Sequence, residues 1–358
     1  MARLYGREWT RAELLQRVGD VSQVGGARPI TYADGPEAGV PAVLVRTGGG
    51  LSFSVLPGRG MDLGEAHFNG ASLCWRSPTG EQSAPFYEPE GQGWLRGFFG
   101  GLMVTCGLTT AGWASNDEGV DLPLHGRASY LPARSVHVDG EWQGDDYVMW
   151  VQGRVRETVP YGENVRLTRR VWARLGENRL YVDDVVENLA HEPTPHMIAY
   201  HINPGFPLLD GGSELLFSPR EVTPVLEEYA PGLPNHARFD GPVPGWKAEV
   251  YHHRVKGDAD GLAHTALVNR RLGLGLYVRQ PVEQLPWMWQ WKQTGPGLYV
   301  VGMEPANCQG LGRAPERARG ALQILPPGGR REYHLEIGVL DGAEAIAAFE
   351  SRLASGAS

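Results

Sequence analysis

What most constrains this chain is that strand follows strand with no long helical run between them. Period-two apolar patterning, the mark of a strand with one buried face, runs through residues 42–46, 51–56, 147–156, 165–175 and 180–188. It returns at 248–255, 266–269, 273–279, 299–304 and 331–339. Parallel neighbours need long crossovers, usually helices, so the pattern predicts an antiparallel all-β fold and not a βαβ alternation. Helices are expected only near the two ends. Thr10-Arg11-Ala12-Glu13 has the form of a capping box, and Asp341-Gly342-Ala343-Glu344 repeats that logic before an alanine-rich run. At ~150 residues per domain the chain could hold two, but β sandwiches of this length are often single. No linker or compositional break divides it. Residues 1–358 are therefore expected to form one large two-sheet sandwich.

Composition agrees. Glycine (49) and proline (27) make up about a fifth of the chain, high for a helical protein and suited to many turns. Apolar residues at 42% and charged residues at 21% exclude a disordered chain. A formal charge of -8 argues against nucleic acid, whose phosphates want a basic face. Cys74, Cys106 and Cys308 are odd in number and far apart, so neither a disulfide framework nor a CxxC metal site is expected. The N-terminus has no apolar signal core, and the most apolar stretch, 97–108, is too short and glycine-rich to span a bilayer. These features lead us to expect a soluble cytoplasmic protein with no membrane partner. Nothing fixes an oligomeric state. Residues 76–121 read poorly as strand and carry Trp94, Phe98 and Phe99, as a functional loop or packed lid would.

Five stretches hold side chains able to do chemistry. His125 stands between a proline turn and Gly126, where backbone can approach a ligand closely, and imidazole titrates near neutrality. Residues 195–206 carry His196, His201 and Asn203. On a strand, His201 and Asn203 share one face and His196 takes the other. That separates the two histidines as metal ligands and sets a proton donor beside a hydroxyl-binding amide. Glu304 ends an apolar strand before Pro305, with Gly302 leaving room on the same face. Partial burial would raise its pKa, and a nearby histidine or arginine would lower it. Trp287, Trp289 and Trp291 fall on one strand face, as core, as a cross-strand ladder, or as a wall for the C–H face of a sugar. Lys292 follows them. Arg59 and Asp62 lie in the glycine-rich run 57–64, either pairing to organise a turn or offering Arg59 to a ligand oxygen. His252 and His253 are adjacent and would face opposite ways, a poor metal pair. No serine-hydrolase elbow, zincin helix, phosphate loop or dinucleotide fingerprint is present.

The order of these features is informative: Leu124-His125-Gly126, then Tyr200-His201-Ile202-Asn203-Pro204-Gly205-Phe206, then Gly302-Met303-Glu304-Pro305-Ala306-Asn307-Cys308. With Leu56-Pro57-Gly58-Arg59-Gly60-Met61-Asp62-Leu63-Gly64 and Phe99-Gly100-Gly101-Leu102, the set resembles the aldose 1-epimerase (galactose mutarotase-like) superfamily. It is most similar to that superfamily's uncharacterised branch, over roughly residues 43–339. The resemblance implies a large antiparallel β supersandwich with an open ligand cleft. It also implies anomer interconversion of a small carbohydrate, with Glu304 as base, His201 as acid protonating the ring oxygen, and His125 as a second histidine. No metal or organic cofactor is implied. Arg59, Asp62, Arg127, Asn203, Trp289 and Lys292 are the expected substrate contacts, and the three cations would suit an acidic sugar. Better-known members have asparagine before the acid histidine where this chain has Tyr200. That difference motivates an alternative, lyase, isomerase or hydrolase chemistry on a sugar derivative. The tryptophan stripe motivates another, a non-catalytic carbohydrate-binding protein.

Overall fold

The structure, a computed structural model, describes residues 1–218 and 220–355. Two large antiparallel sheets build it. The larger has twelve strands, and its main path runs Arg220–Pro224, Glu249–Val255, Trp287–Gly295, Leu298–Ala306, Thr194–Ile202, Met103–Leu108, Asp62–Phe68, Leu51–Leu56, Pro41–Arg46 and Gly26–Thr31. Five of these position the site: β1 (Met103–Leu108), β2 (Thr194–Ile202), β3 (Glu249–Val255), β4 (Trp287–Gly295) and β5 (Leu298–Ala306). They lie side by side in the order β3-β4-β5-β2-β1. The second sheet has eight strands. Four of them, Arg134–Gln143, Asp146–Thr158, Asn164–Arg174 and Arg179–Asn188, follow one another as a meander beside Arg330–Asp341. The strand Asn164–Arg174 alternates half-buried and buried positions along its whole length, so the period-two reading holds residue by residue.

The apolar core lies between the sheets. Val55, Leu63, Ile202 and Met303 from the larger sheet meet Val151, Leu167, Val182 and Ile337 from the smaller. Each such side chain contributes roughly 1.5–3 kcal/mol by leaving water. A polar rivet crosses this core. Arg169 grips Asp184 through two bonds of 2.8 and 2.6 Å and donates to Thr105 Oγ1 at 2.7 Å. Asp62 accepts from the Thr105 amide and hydroxyl, and the Tyr200 hydroxyl donates to Asp184 at 2.8 Å.

The larger sheet also covers its other face. There Leu56, Val104, Met197 and Ala199 pack under Trp94, Phe98 and Phe99 of the 76–121 segment. That segment departs from the sequence expectation, because it contains β1, which runs through the middle of the sheet and is buried at every position. A strand covered on both faces has no polar alternation to betray it. The ends behave more simply. Helix α1 (Arg11–Leu15) starts with the expected capping box between Thr10 and Glu13. A short helix absent from the sequence reading, α2 (Arg313–Ala318), precedes α3 (Gly342–Ser355). Helix α3 sets Ile346 and Phe349 against Tyr277 and Leu340. Among the described residues, no helix is long and apolar enough to cross a membrane.

Candidate active site

Alternation along β2 sends Ile198, Tyr200 and Ile202 into the inter-sheet core and leaves Met197, Ala199 and His201 on the opposite face. The same rule turns Met303 inward on β5 and Glu304 outward, and it turns Trp289 and Trp291 outward on β4. These outward positions meet in a cavity of about 240 Å³. Four titratable groups line it: His125, His201, His252 and Glu304. Trp94, Phe98, Trp113, Trp289 and Trp291 supply aromatic walls. Three larger hollows, of about 780, 900 and 510 Å³, contain no buried histidine or carboxylate among their lining residues.

His201 Nε2 stands 3.3 Å from Glu304 Oε1, and both side chains are almost wholly buried. Burial disfavours the charged form of each. It lifts the Glu304 carboxyl well above its ordinary range and lowers His201 to about 4, the Asn203 amide opposing the latter. Burial thus favours a protonated Glu304 beside a neutral His201. Glu304 occupies space that only glycine leaves, since a side chain at Gly302 would collide with Oε1. The His201 ring is held by Phe98, Trp291 and His125, at centroid distances of 5.1, 5.6 and 5.8 Å.

His125 comes from the loop after the short strand Val120–Leu122, in a left-handed conformation with φ 57°. Its amide donates to the Gly112 carbonyl at 2.7 Å. Gly126 next to it is pressed against the Gly107 and Thr110 carbonyls, so a side chain there would push the loop off β1. Burial, then the nearby His201, lowers His125 to about 3. Its Nδ1 has no partner, and neither does Nδ1 of His201.

His252 on β3 is the member that sequence reasoning passed over. In the sequence it stands out only as a poor metal ligand beside His253. The structure turns His253 to the other face, onto Arg220 and Gln290, and leaves His252 in the cavity. Burial, with the Arg319 charge adding to it, lowers His252 to about 4. Its signal was positional: His252, Trp289 and Glu304 are register partners across three neighbouring strands.

Of the six expected substrate contacts only Trp289 lines the cavity, its indole N–H fixed on the Cys308 carbonyl at 2.6 Å. Arg59 is fully buried and spends its donors on the carbonyls of Ser129, Gln82 and Gly97, so it anchors the aromatic loop and does not reach the cavity. Asp62 belongs to the inter-sheet rivet. Asn203 donates to the carbonyls of Gly100, Gly101 and His201. Lys292 alternates to the far face of β4 and bonds the carbonyls of Asn235 and Arg238. Arg127 is exposed, 6.0 Å from the Tyr87 ring. No lysine or arginine lines the cavity, which removes the reason to expect an acidic sugar. Tyr200, the departure beside His201, points into the inter-sheet core and does not touch the cavity. Among the described residues no three histidine, cysteine, aspartate or glutamate side chains converge as metal ligands, and the three cysteines are buried and free.

Comparison with known proteins places the fold. Residues 37–339 match the family described as "Domain of unknown function (DUF4432)". The chain belongs to that family. Its fold is that of the galactose mutarotase-like proteins. A provisionally named aldose 1-epimerase from Klebsiella pneumoniae shares 24% identity with this DUF4432 chain, over 98% of it and 94% of the other, with a TM-score of 0.88. A galactose mutarotase-like protein from Clostridium acetobutylicum is 12% identical over 89% and 99% of the two chains, with a TM-score of 0.61. Galactose 1-epimerase from Lactobacillus acidophilus is also 12% identical, over 88% and 99%, with a TM-score of 0.56. At these identities the likeness is one of fold. No curated protein matches the chain.

Proposed function

We propose that this DUF4432 protein interconverts the anomers of a free monosaccharide by acid/base ring opening. The observation that carries the reading is the buried Glu304–His201 pair, 3.3 Å apart on the cavity wall. Ring opening starts once a proton has passed from Glu304 to His201 across the 3.3 Å between them: the Glu304 carboxylate then takes the proton of the anomeric hydroxyl while the His201 imidazolium gives one to the ring oxygen. The C1–O5 bond breaks and the aldehyde forms. This leaves Glu304 protonated and His201 neutral, the pair of states that burial favours. Rotation about C1–C2 and return of both protons close the ring as the other anomer. Each transfer spans one hydrogen bond, and closure swaps acid and base. His125 would hold the ring oxygen or a neighbouring hydroxyl.

The cavity volume, about 240 Å³, lies just below the ~300–1,000 Å³ usual for ligand pockets. That suits one sugar ring better than an oligosaccharide. Aromatic walls suit its C–H faces. The difference at Tyr200 gives no reason for other chemistry, since that side chain is on the inter-sheet face. A binding protein would have no use for an acid–base pair. Exchange-NMR or polarimetry on D-glucose, D-galactose, D-mannose and D-xylose tests the reading. Glu304→Gln is expected to slow anomer exchange by about 10²–10⁴-fold, the usual contribution of one positioned acid or base. Exchange that persists at the wild-type rate in that variant would sink it.

A further inference from the structure

The cavity histidines differ from the other buried histidines of the chain. His196 is bonded to the Leu108 carbonyl and the Tyr333 hydroxyl, His253 to Arg220 and Gln290, and His264 to Asp258. His252 is only 6% exposed, and Trp287 and Trp289 lie at centroid distances of 6.3 and 6.4 Å from its ring. Among the described residues, no hydrogen bond satisfies its ring nitrogens. Buried polar groups almost always have a partner, and an exception needs a cause. The open face of His252 is the cavity.

Its position within the cavity is set by register. His252, Trp289 and Glu304 form one row across β3, β4 and β5, with Trp289 as the floor between two polar ends. Strand neighbours lie ~4.8 Å apart, so the backbones of His252 and Glu304 are about 10 Å apart. A single sugar ring in the cavity can therefore face both side chains. A neutral imidazole has one donor and one acceptor, which matches a hydroxyl, itself both. Arg319, exposed and paired with Glu316 at 2.6 Å, opposes protonation of His252 and so preserves that match.

We infer that His252 binds a hydroxyl at the end of the sugar remote from the anomeric carbon, and so selects the substrate without taking part in ring opening. This rests on the proposed anomer exchange for the orientation of the sugar, and not for the existence of the contact. The test is a cycle of His252→Ala against D-glucose, D-galactose and their 4-deoxy and 6-deoxy forms. Binding is read by tryptophan fluorescence, because Trp289 and Trp291 line the site. It is also read in Glu304→Gln, where turnover does not interfere. His252→Ala is expected to raise KM and Kd by about tenfold, the worth of one neutral hydrogen bond, with kcat unchanged. One deoxy sugar should bind weakly to the wild type yet lose nothing further in the variant. His252→Gln, which keeps a donor and an acceptor, should recover part of the affinity. Additive losses for both deoxy sugars, a fall in kcat with KM unmoved, or no binding by any of the sugars would each overturn the assignment. Should Glu304→Gln retain full exchange, the ring-opening reading fails alone, and the binding cycle still decides the role of His252.

Discussion

Tyr200 and His201 are neighbours on one strand and belong to two different kinds of buried polar chemistry. Tyr200 faces the second sheet and donates to Asp184, which Arg169 holds in a bidentate grip. In that rivet most donors and acceptors are paired, Asp62 Oδ2 being the acceptor left over. His201 faces the cavity with Glu304, His125 and His252, where ring nitrogens lack partners and no ion pair with arginine or lysine forms. Polar groups that satisfy one another fix a structure. Polar groups left unsatisfied, and kept neutral by burial, are available to something that enters.

The largest expected effect tests whether the two faces are separable. Arg169→Met strips Asp184 of its partner, and breaking such a buried pair costs about 3–5 kcal/mol. Urea denaturation should show that loss, while the exchange rate per folded molecule stays at the wild-type value. A matching drop in that rate would mean that the rivet positions His201 through Tyr200, and the contrast between the faces would collapse. Gly302→Ala should do the reverse. The added methyl meets Glu304 Oε1, and the carboxyl must move aside. Misplacing a reacting group by about 1 Å costs on the order of 10²-fold in rate. Anomer exchange should fall by that much with little change in the denaturation midpoint. A variant that keeps its rate would show that Glu304 does not act from where it rests.

The contrast also explains what the sequence could reveal. Strands with one wet face announced themselves, and the 180–188 prediction is matched by Arg179–Asn188. β1 hid because it is covered on both sides. His201 and Glu304 were legible because period two put each on a face, and the cavity lies on that face. Two of the three expected cationic contacts failed for one shared reason. Arg59 and Lys292 have charge that a ligand could use, but backbone carbonyls from distant segments claim it first, and no local pattern encodes such a tertiary partner. His252 was missed because adjacency to His253 suggested a metal question, whereas the useful fact was its cross-strand register with Trp289. Pairing partners two strands away in space are far apart in sequence.

The smallest effect concerns stability against pH, and its sign separates Glu304 from the histidines around it. His125, His201 and His252 have folded pKa values of about 3, 4 and 4, below the ordinary 6.5. The unfolded chain therefore binds protons that the folded chain refuses. Their contribution is intact above pH 6.5 and is lost as the pH falls from there towards 4. Glu304 works in the other direction. Its folded pKa is raised, so its contribution is intact below pH 4.5 and is lost as the pH rises through the folded value. Glu304→Gln removes that second loss and leaves the histidine limb in place. The variant should match the wild type near pH 4 and gain on it as the pH rises, by about 1.4 kcal/mol for each unit of the shift removed. Thermal unfolding of both proteins between pH 4 and 9 measures the gap. A gap that does not widen with pH would mean that the carboxyl is solvated, and the two faces of the sheet would then not differ in the way their hydrogen bonds indicate.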